Sequence, residues 1–248
     1  MKKKNGLNGV RKIGLILLIM ITAMSGTFAT SAWIEASNIA TDNLALVPTY
    51  TTVTYAETNG AGVQLLEFKG LIIHGEDGNA NLTVREIGSS EMYDLLGTFT
   101  DGMAFFPFAS DVEIDNYQLI DESVLIEGVL TTQYYFEAFV ADNAIAKSLT
   151  SYEEEGAEVS IIGYIYISNR DGSVVKLEQE YSLYDNYTGS FEIEQEVYFD
   201  YDGQRWVAIV SETSGELTHT LSNKSVELTS FNVTEEFSDY FTADTYMR

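Results

Sequence analysis

From Pro48 onward, apolar and polar residues alternate along most of the chain, and this pattern narrows the choice of fold more than any other feature. A period of two is that of a β-strand with one buried and one exposed face. Turn-forming pairs separate the alternating runs, among them Asp171-Gly172 and Asp202-Gly203. The sequence therefore predicts an all-β fold, an antiparallel β-sandwich or jelly-roll-like domain of about 10–12 strands.

The predicted strands are Val63–His74, Asn81–Ile87, Val124–Val140 (one bent strand or two), Glu158–Ser168, Val174–Tyr184, Phe191–Asp200, Arg205–Val210, Glu216–Leu221 and Val226–Val233. Gly189 and Gly215 are expected in turns. One or two short helices are expected between strands, at Glu91–Leu96 and after Asp142. Aromatic residues at i, i+3 and i+4 indicate a further helix at Glu235–Phe241.

The N-terminus has the pattern of an export signal. Five Lys and Arg residues precede an apolar run, Ile13–Met24, and the small residues of Ser25–Ala32 suit cleavage after Ala29 or Ala32. The alternative is a retained membrane anchor, because no charged residue occurs between Ile13 and Ile34 and about 20 residues can span a bilayer. The expected organisation is a signal peptide at 1–32, a polar lead segment at 33–47 and a β-domain at 48–248, with a possible subdivision near 141–157.

Charge and composition exclude several classes of function. The chain has 38 acidic residues and 13 Lys and Arg, a net charge of −25, which argues against a nucleic-acid partner. There is no cysteine, so a thiol nucleophile, a cysteine metal cage and a disulfide are excluded, and two histidines cannot build a three-histidine zinc site. A disulfide-free exported chain fits the extracellular space or cell surface of a bacterium or archaeon. A membrane is expected as a partner only through an uncleaved N-terminus.

The hairpin between Val174 and Asp200 carries the most informative pattern. Centring it on Tyr187 places Gln179 opposite Gln195 on the apolar face, where a mutual hydrogen bond would satisfy both amides. The same register places Glu178 opposite Glu196 and Glu180 opposite Glu194 on the other face. A slip by two residues would still pair Glu with Glu, whereas a slip by one residue would bury these charges.

Directly opposed like charges are unfavourable in a sheet. One interpretation is a calcium site, because hard cations take several carboxylate oxygens; its candidate ligands are Glu178, Glu180, Glu194 and Glu196. The other interpretation is a solvated acidic face with Lys176 as its local cation. No cofactor other than calcium is indicated.

The run Glu192-Ile-Glu-Gln-Glu196 resembles the E-I-D-x-E strand motif of laminarinase- and lichenase-type retaining β-glucanases, which have a jelly-roll fold. The resemblance would make Glu192 the nucleophile and Glu196 the acid/base. Residues i and i+4 of a regular strand lie about 13 Å apart, whereas a retaining pair needs about 5 Å. We therefore assign no catalytic residue.

Residues 27–46 (TFATSAWIEASNIATDNLAL) are similar to the start of biofilm-matrix and surface-thread proteins, jelly rolls that polymerise by donating an N-terminal strand. The resemblance implies self-assembly, with residues 33–47 as the donor. We therefore expect a non-enzymatic structural or adhesive protein that is exported to the cell surface or secreted. It would be a matrix, surface-layer or filament subunit, or a module binding other surface proteins or glycans. The alternative is an extracellular carbohydrate-active protein, either a binding module or a β-glucanase-like hydrolase.

Overall fold

The fold is that of a computed structural model, which describes residues 32–40, 46–74, 80–84, 108, 112–141, 158–185, 189–220 and 226–242. Residues 32–40 form a helix, α1. The strands are β1 (Leu46–Asn59), β2 (Gln64–His74), β3 (Ala80–Val84), β4 (Val112–Ile126), β5 (Val129–Ala141), β6 (Glu158–Ser168), β7 (Val174–Asp185), β8 (Gly189–Tyr201), β9 (Trp206–Thr220) and β10 (Val226–Thr242).

All ten strands belong to one antiparallel sheet with the order β3-β2-β1-β10-β9-β8-β7-β6-β5-β4. The predicted all-β fold is thereby confirmed, and the described residues form ten strands, where about 10–12 were expected for the chain. Strands adjacent in the chain pair with each other, except for β3 and β4, and β1 pairs with β10, so the first and last strands meet inside the sheet. The two ends of the sheet are β3 and β4, which are consecutive in the chain.

Alternation along the strands gives the sheet one buried and one exposed face. On β7 the odd-numbered residues Leu177, Gln179 and Tyr181 are buried, while the side chain of Glu180 between them is exposed. The buried residues of the strands form one apolar cluster that includes Val53, Tyr55, Phe68, Ile72, Tyr134, Phe136, Ile161, Ile165, Ile193, Val197, Phe231 and Val233. We call this buried side the inner face and the other side the outer face.

Helix α1 packs on the inner face through residues spaced at helical intervals, Trp33, Ala36 and Ala40, which are all buried. The indole of Trp33 stacks on Tyr117 of β4, with ring centroids 4.5 Å apart and planes at 9°. It also meets the edges of Phe108 and Tyr134. The lead segment expected at 33–47 is thus helical in its first part and joins the core. Residues 33–40 are therefore not the free strand that the surface-thread resemblance implies for 33–47, and donor-strand assembly stays a prediction.

Turn and helix signals in the sequence predicted some boundaries of the secondary structure correctly and others wrongly. Gly172 and Gly203 have positive φ angles of 73° and 101°, as expected for turns. Gly215 lies inside β9, so the two strands predicted on either side of it are one strand. The helix expected at Glu235–Phe241 is wrong, because these residues belong to β10. The helices expected at Glu91–Leu96 and after Asp142, the signal segment at 1–32 and the subdivision near 141–157 lie wholly or largely outside the described residues.

Candidate functional site: the two faces of the β7–β8 hairpin

The pairing of β7 with β8 follows the register predicted from the sequence. Gln179 is opposite Gln195, Glu178 is opposite Glu196, and Glu180 is opposite Glu194. Tight pairing of apolar residues on the inner face holds this register, since Leu177 faces Val197 and Tyr181 faces Ile193. The hairpin therefore presents an amide pair to the core and a double row of carboxylates to the outer face.

The inner amide pair forms the hydrogen bond expected from the sequence. Gln179 Nε2 donates to Gln195 Oε1 over 2.8 Å, and the hydroxyl of Tyr181 donates to the same oxygen over 3.2 Å. Gln195 Nε2 in turn donates to Ser211 Oγ at 3.1 Å and Thr213 Oγ1 at 3.2 Å on β9. These five side chains, which we call the inner polar cluster, are buried inside the apolar core.

On the outer face, the Glu178–Glu196 pair contains a cation of the protein's own. Lys176 Nζ lies 2.5 Å from Glu178 Oε1 and 3.1 Å from Glu196 Oε2, with 13% of its side chain exposed. The hydroxyl of Tyr166 donates to Glu178 Oε2 at 2.8 Å, and that of Tyr198 donates to Glu196 Oε2 at 2.5 Å. The ammonium also sits 4.9 Å from the centre of the Tyr198 ring. This first carboxylate pair therefore shares one ammonium, which offsets one of its two negative charges, and is hydrogen-bonded within the sheet.

The pKa values of these groups follow from their contacts. The hydrogen bond from Tyr198, assisted by Lys176, holds the pKa of the Glu196 carboxyl below its ordinary value, although partial burial opposes the shift. Burial acts to lower the pKa of Lys176, but its hydrogen bonds to Glu178 and Glu196 outweigh burial and raise that pKa. Glu196 is the main cause of the raised pKa of Tyr198. Lys176 and Glu196 are therefore charged, and Tyr198 is neutral, through the neutral range.

The second pair, Glu180 and Glu194, is exposed to solvent on both strands. The acidic row continues beyond the hairpin, since Glu192 faces Glu216 and Glu196 faces Glu212 on β9. Among the described residues, no three His, Asp or Glu side chains come together in a way that could hold a metal ion. The four predicted ligands are thus neighbours that separate into one ion-paired and one open pair. The calcium assignment stays a prediction.

Replacing the open pair with amides tests this division. Glu180→Gln with Glu194→Gln should raise the free energy of unfolding of the calcium-free protein by about 0.2–1 kcal/mol, because it removes like charges that face each other. The matched double variant Glu178→Gln with Glu196→Gln should lower it by about 1–2 kcal/mol, because it strips a mostly buried ammonium of its partners. Urea denaturation followed by circular dichroism measures both.

The same two variants decide the calcium prediction. If the four predicted ligands hold calcium, millimolar calcium raises the melting temperature more than sodium chloride of equal ionic strength does. The Glu180/Glu194 variant then loses that additional increase. Equal effects of the two salts would leave an acidic face that is only screened by ions.

The glucanase-like motif lacks the electrostatics of a catalytic pair. Glu192 and Glu196 lie four residues apart on the regular strand β8. The acid/base of a retaining glycosidase needs a raised pKa, whereas that of Glu196 is lowered. The glutamates of the motif belong to the row of carboxylates on the outer face.

Two features of the surface were not predicted from the sequence. One is the end of the sheet at β4, where Leu125 is 66% exposed and Ile120 is 48% exposed. The other is an aromatic corner in which Tyr201 and Trp206 lie 6.2 Å apart with planes at 57°. Trp206 Nε1 donates to Asp171 Oδ2 across the neighbouring turns at 3.2 Å. The long stretch before Val124 had enough β-branched and aromatic residues to signal β4, but the acidic residues within it obscured the alternation.

No protein-family model matches the chain, and no curated protein matches it. A LolA superfamily protein from Nitrosomonas europaea is a solved structure with some likeness, at 12% identity and a TM-score of 0.35. The match covers 85% of this chain and 94% of the other. A likeness at this level assigns neither a family nor a function to this chain. Among the described residues, no helix has the length and apolar character needed to cross a membrane.

Proposed function

We propose that the protein is an exported, non-enzymatic protein of the bacterial or archaeal surface that self-associates through the β4 end of its sheet. The observation that carries the proposal is the long terminal strand β4, which has 15 residues and no partner strand on its far side within the described sheet. Such a strand presents a row of backbone donors and acceptors that another chain can pair with.

Side chains at this end support the same interpretation. Leu125 of β4 faces Leu130 of β5, and they are 66% and 51% exposed. Together with Ile120 they place apolar surface where a sheet would continue into a neighbouring copy. Three register irregularities interrupt the pairing of β4 with β5. Such irregularities and acidic residues protect an edge from pairing, so association at this end depends on the apolar contact and on salt that screens the charge.

Export is supported by the basic and apolar N-terminus and by the absence of cysteine. Without residues 1–32 the chain carries 8 basic and 38 acidic residues, a net charge of −30. Copies with this charge repel one another at low ionic strength. Self-association is therefore expected to strengthen with salt, as it would in a saline or ion-rich environment.

The carbohydrate-active alternative has weaker support. A flat sugar-binding platform needs coplanar exposed rings, yet the Tyr201–Trp206 planes meet at 57° and the Tyr135–Tyr164 planes at 59°. The stacked pairs, Trp33–Tyr117 and Tyr55–Phe68, involve buried rings of the core. The lowered pKa of Glu196 also counts against the hydrolase.

A charge placed on the β4 end tests the proposal. We expect the protein without residues 1–32 to form concentration-dependent multimers at 0.5 M or higher sodium chloride, and Leu125→Lys to shift it to monomer. Ile162→Lys is the matched control, because Ile162 is an exposed apolar residue on β6, away from either end of the sheet. Light scattering coupled to size exclusion measures both.

A strictly monomeric parent protein at all salt concentrations would remove the proposal. So would equal loss of multimers in the Leu125 and Ile162 variants, since that would indicate a general effect of charge.

A further inference from the structure

In the inner polar cluster, the amide of Gln195 makes all the hydrogen bonds it can make, whereas the amide of Gln179 does not. Gln195 makes four hydrogen bonds: its oxygen accepts from Gln179 and Tyr181, and its nitrogen donates to Ser211 and Thr213. Four is the full capacity of a side-chain amide. Gln195 is therefore the centre of the cluster and can bind nothing else.

Gln179 uses only a part of its capacity. It is 4% exposed, its Nε2 makes the bond to Gln195, and its Oε1 is a buried acceptor that no donor of the protein reaches among the described residues. Its second N–H likewise finds no acceptor there. Buried amides of native proteins are almost always hydrogen-bonded, and an exception points to a bound molecule.

The Gln179 amide keeps one position without a protein hydrogen-bond partner whichever way the two amides are oriented. Exchanging oxygen and nitrogen in both glutamines preserves the contact between them and lets the hydroxyls of Ser211 and Thr213 donate to Gln195. The free position at Gln179 then carries an N–H in place of the oxygen. Either orientation of the amides therefore leaves one end of the Gln179 amide without a hydrogen bond from the cluster.

We propose that the inner face binds a neutral hydroxyl group at Gln179. The guest must donate to Oε1, and a group that also accepts from the second N–H satisfies the whole amide. A hydroxyl does both, whereas an ether or ketone oxygen cannot donate. A charged group is disfavoured at Gln179, because the five side chains of the cluster are neutral and lie among apolar core residues. The buried Glu235 of β10 lies opposite Ser211, three strands away from Gln179. Water and the hydroxyl of a larger apolar molecule share this chemistry.

A crystal structure of the protein without residues 1–32 tests the site directly. We expect density within about 2.7–3.2 Å of the outer amide terminus of Gln179. An isolated peak identifies water, and elongated density that continues along the apolar inner face identifies a larger hydroxyl compound. Native mass spectrometry separates the two, since only the larger guest adds mass to the folded protein.

Two leucine variants supply the matched comparison in solution. Gln179→Leu should abolish the guest, seen as the loss of one long-lived water in ¹⁷O relaxation dispersion or of the added mass, while the melting temperature changes by less than about 3 °C. Gln195→Leu should lower the melting temperature by about 6 °C or more, because it removes the amide that hydrogen-bonds Gln179, Ser211 and Thr213.

A protein donor on Gln179 Oε1 in the crystal structure would overturn the proposal. Apolar contacts that fill the position, with equal water counts and masses for the parent and Gln179→Leu, would overturn it too. The site is independent of self-association, so a monomeric protein that holds the guest leaves this proposal standing.

Discussion

Gly163→Ala is expected to lower the free energy of unfolding by about 3 kcal/mol or more, toward the upper end of what overpacking a core does. Gly163 lies at the middle of β6, between Phe136 of β5 and Gln179 of β7. A Cβ atom at this position would lie 2.4 Å from the carbonyl oxygen of Glu178 and 2.8 Å from Cζ of Phe136. The aromatic ring could rotate away, but the carbonyl belongs to the backbone of β7. Removing the clash therefore requires a shift of β7, the strand that carries Gln179 and Tyr181 of the inner polar cluster.

Gly62→Ala is the matched control for the loss of a glycine. Gly62 has a φ of 74°, and a Cβ atom at this position would have no neighbour within 4 Å, so alanine there meets only the backbone penalty of about 1–2 kcal/mol. Gly215→Ala should resemble Gly163→Ala, because its Cβ would lie 2.6 Å from the carbonyl oxygen of Glu192 and 2.9 Å from Cζ of Phe231. Urea denaturation compares the three variants. Equal losses for Gly62→Ala and Gly163→Ala would contradict the steric argument.

The β7–β8 hairpin was predictable because its information is local. A period-two pattern on both strands restricts the pairing to registers that differ by two residues and leave the glutamates exposed, and the register centred on Tyr187 also pairs the two glutamines. The structure has this pairing and the amide hydrogen bond. The contact between Lys176 and Glu196 was harder to predict from the sequence. The lysine reaches diagonally to Glu196 rather than to Tyr198, the residue opposite it.

Features that depend on distant parts of the chain were missed. The pairing of β1 with β10 joins residues nearly 200 positions apart, and no local pattern encodes it. Gly215 looked like a turn, but its lack of a side chain accommodates the ring of Phe231 on the neighbouring strand. The aromatic set at 237, 240 and 241 fits a helix by spacing, yet pairing with β1 makes it a strand. Tertiary contacts overrode local propensity in each case.

Trp33→Ala is expected to lower the free energy of unfolding by about 3–5 kcal/mol, the range for removing a large aromatic side chain from a core. The indole is 6% exposed and packs on rings from β4 and β5. Burial, with smaller contributions from Glu122 and Tyr117, raises the pKa of the adjacent Tyr134 to about 12. The loss of the indole should admit water to this phenol and bring its titration back toward 10.

Trp206→Ala is the matched control, because the chain has only two tryptophans and Trp206 lies in the partly exposed corner with Tyr201. It should change the free energy of unfolding by less than about 1.5 kcal/mol. The single-tryptophan variants also separate the fluorescence signals, so blue-shifted emission should come from the variant that retains Trp33. If cleavage follows Ala32, Trp33 becomes the first residue of the exported protein and still reaches its site. Equal destabilisation by the two substitutions, or solvent-exposed emission from Trp33, would mean that α1 does not dock on the sheet and that residues 33–40 are available for another role.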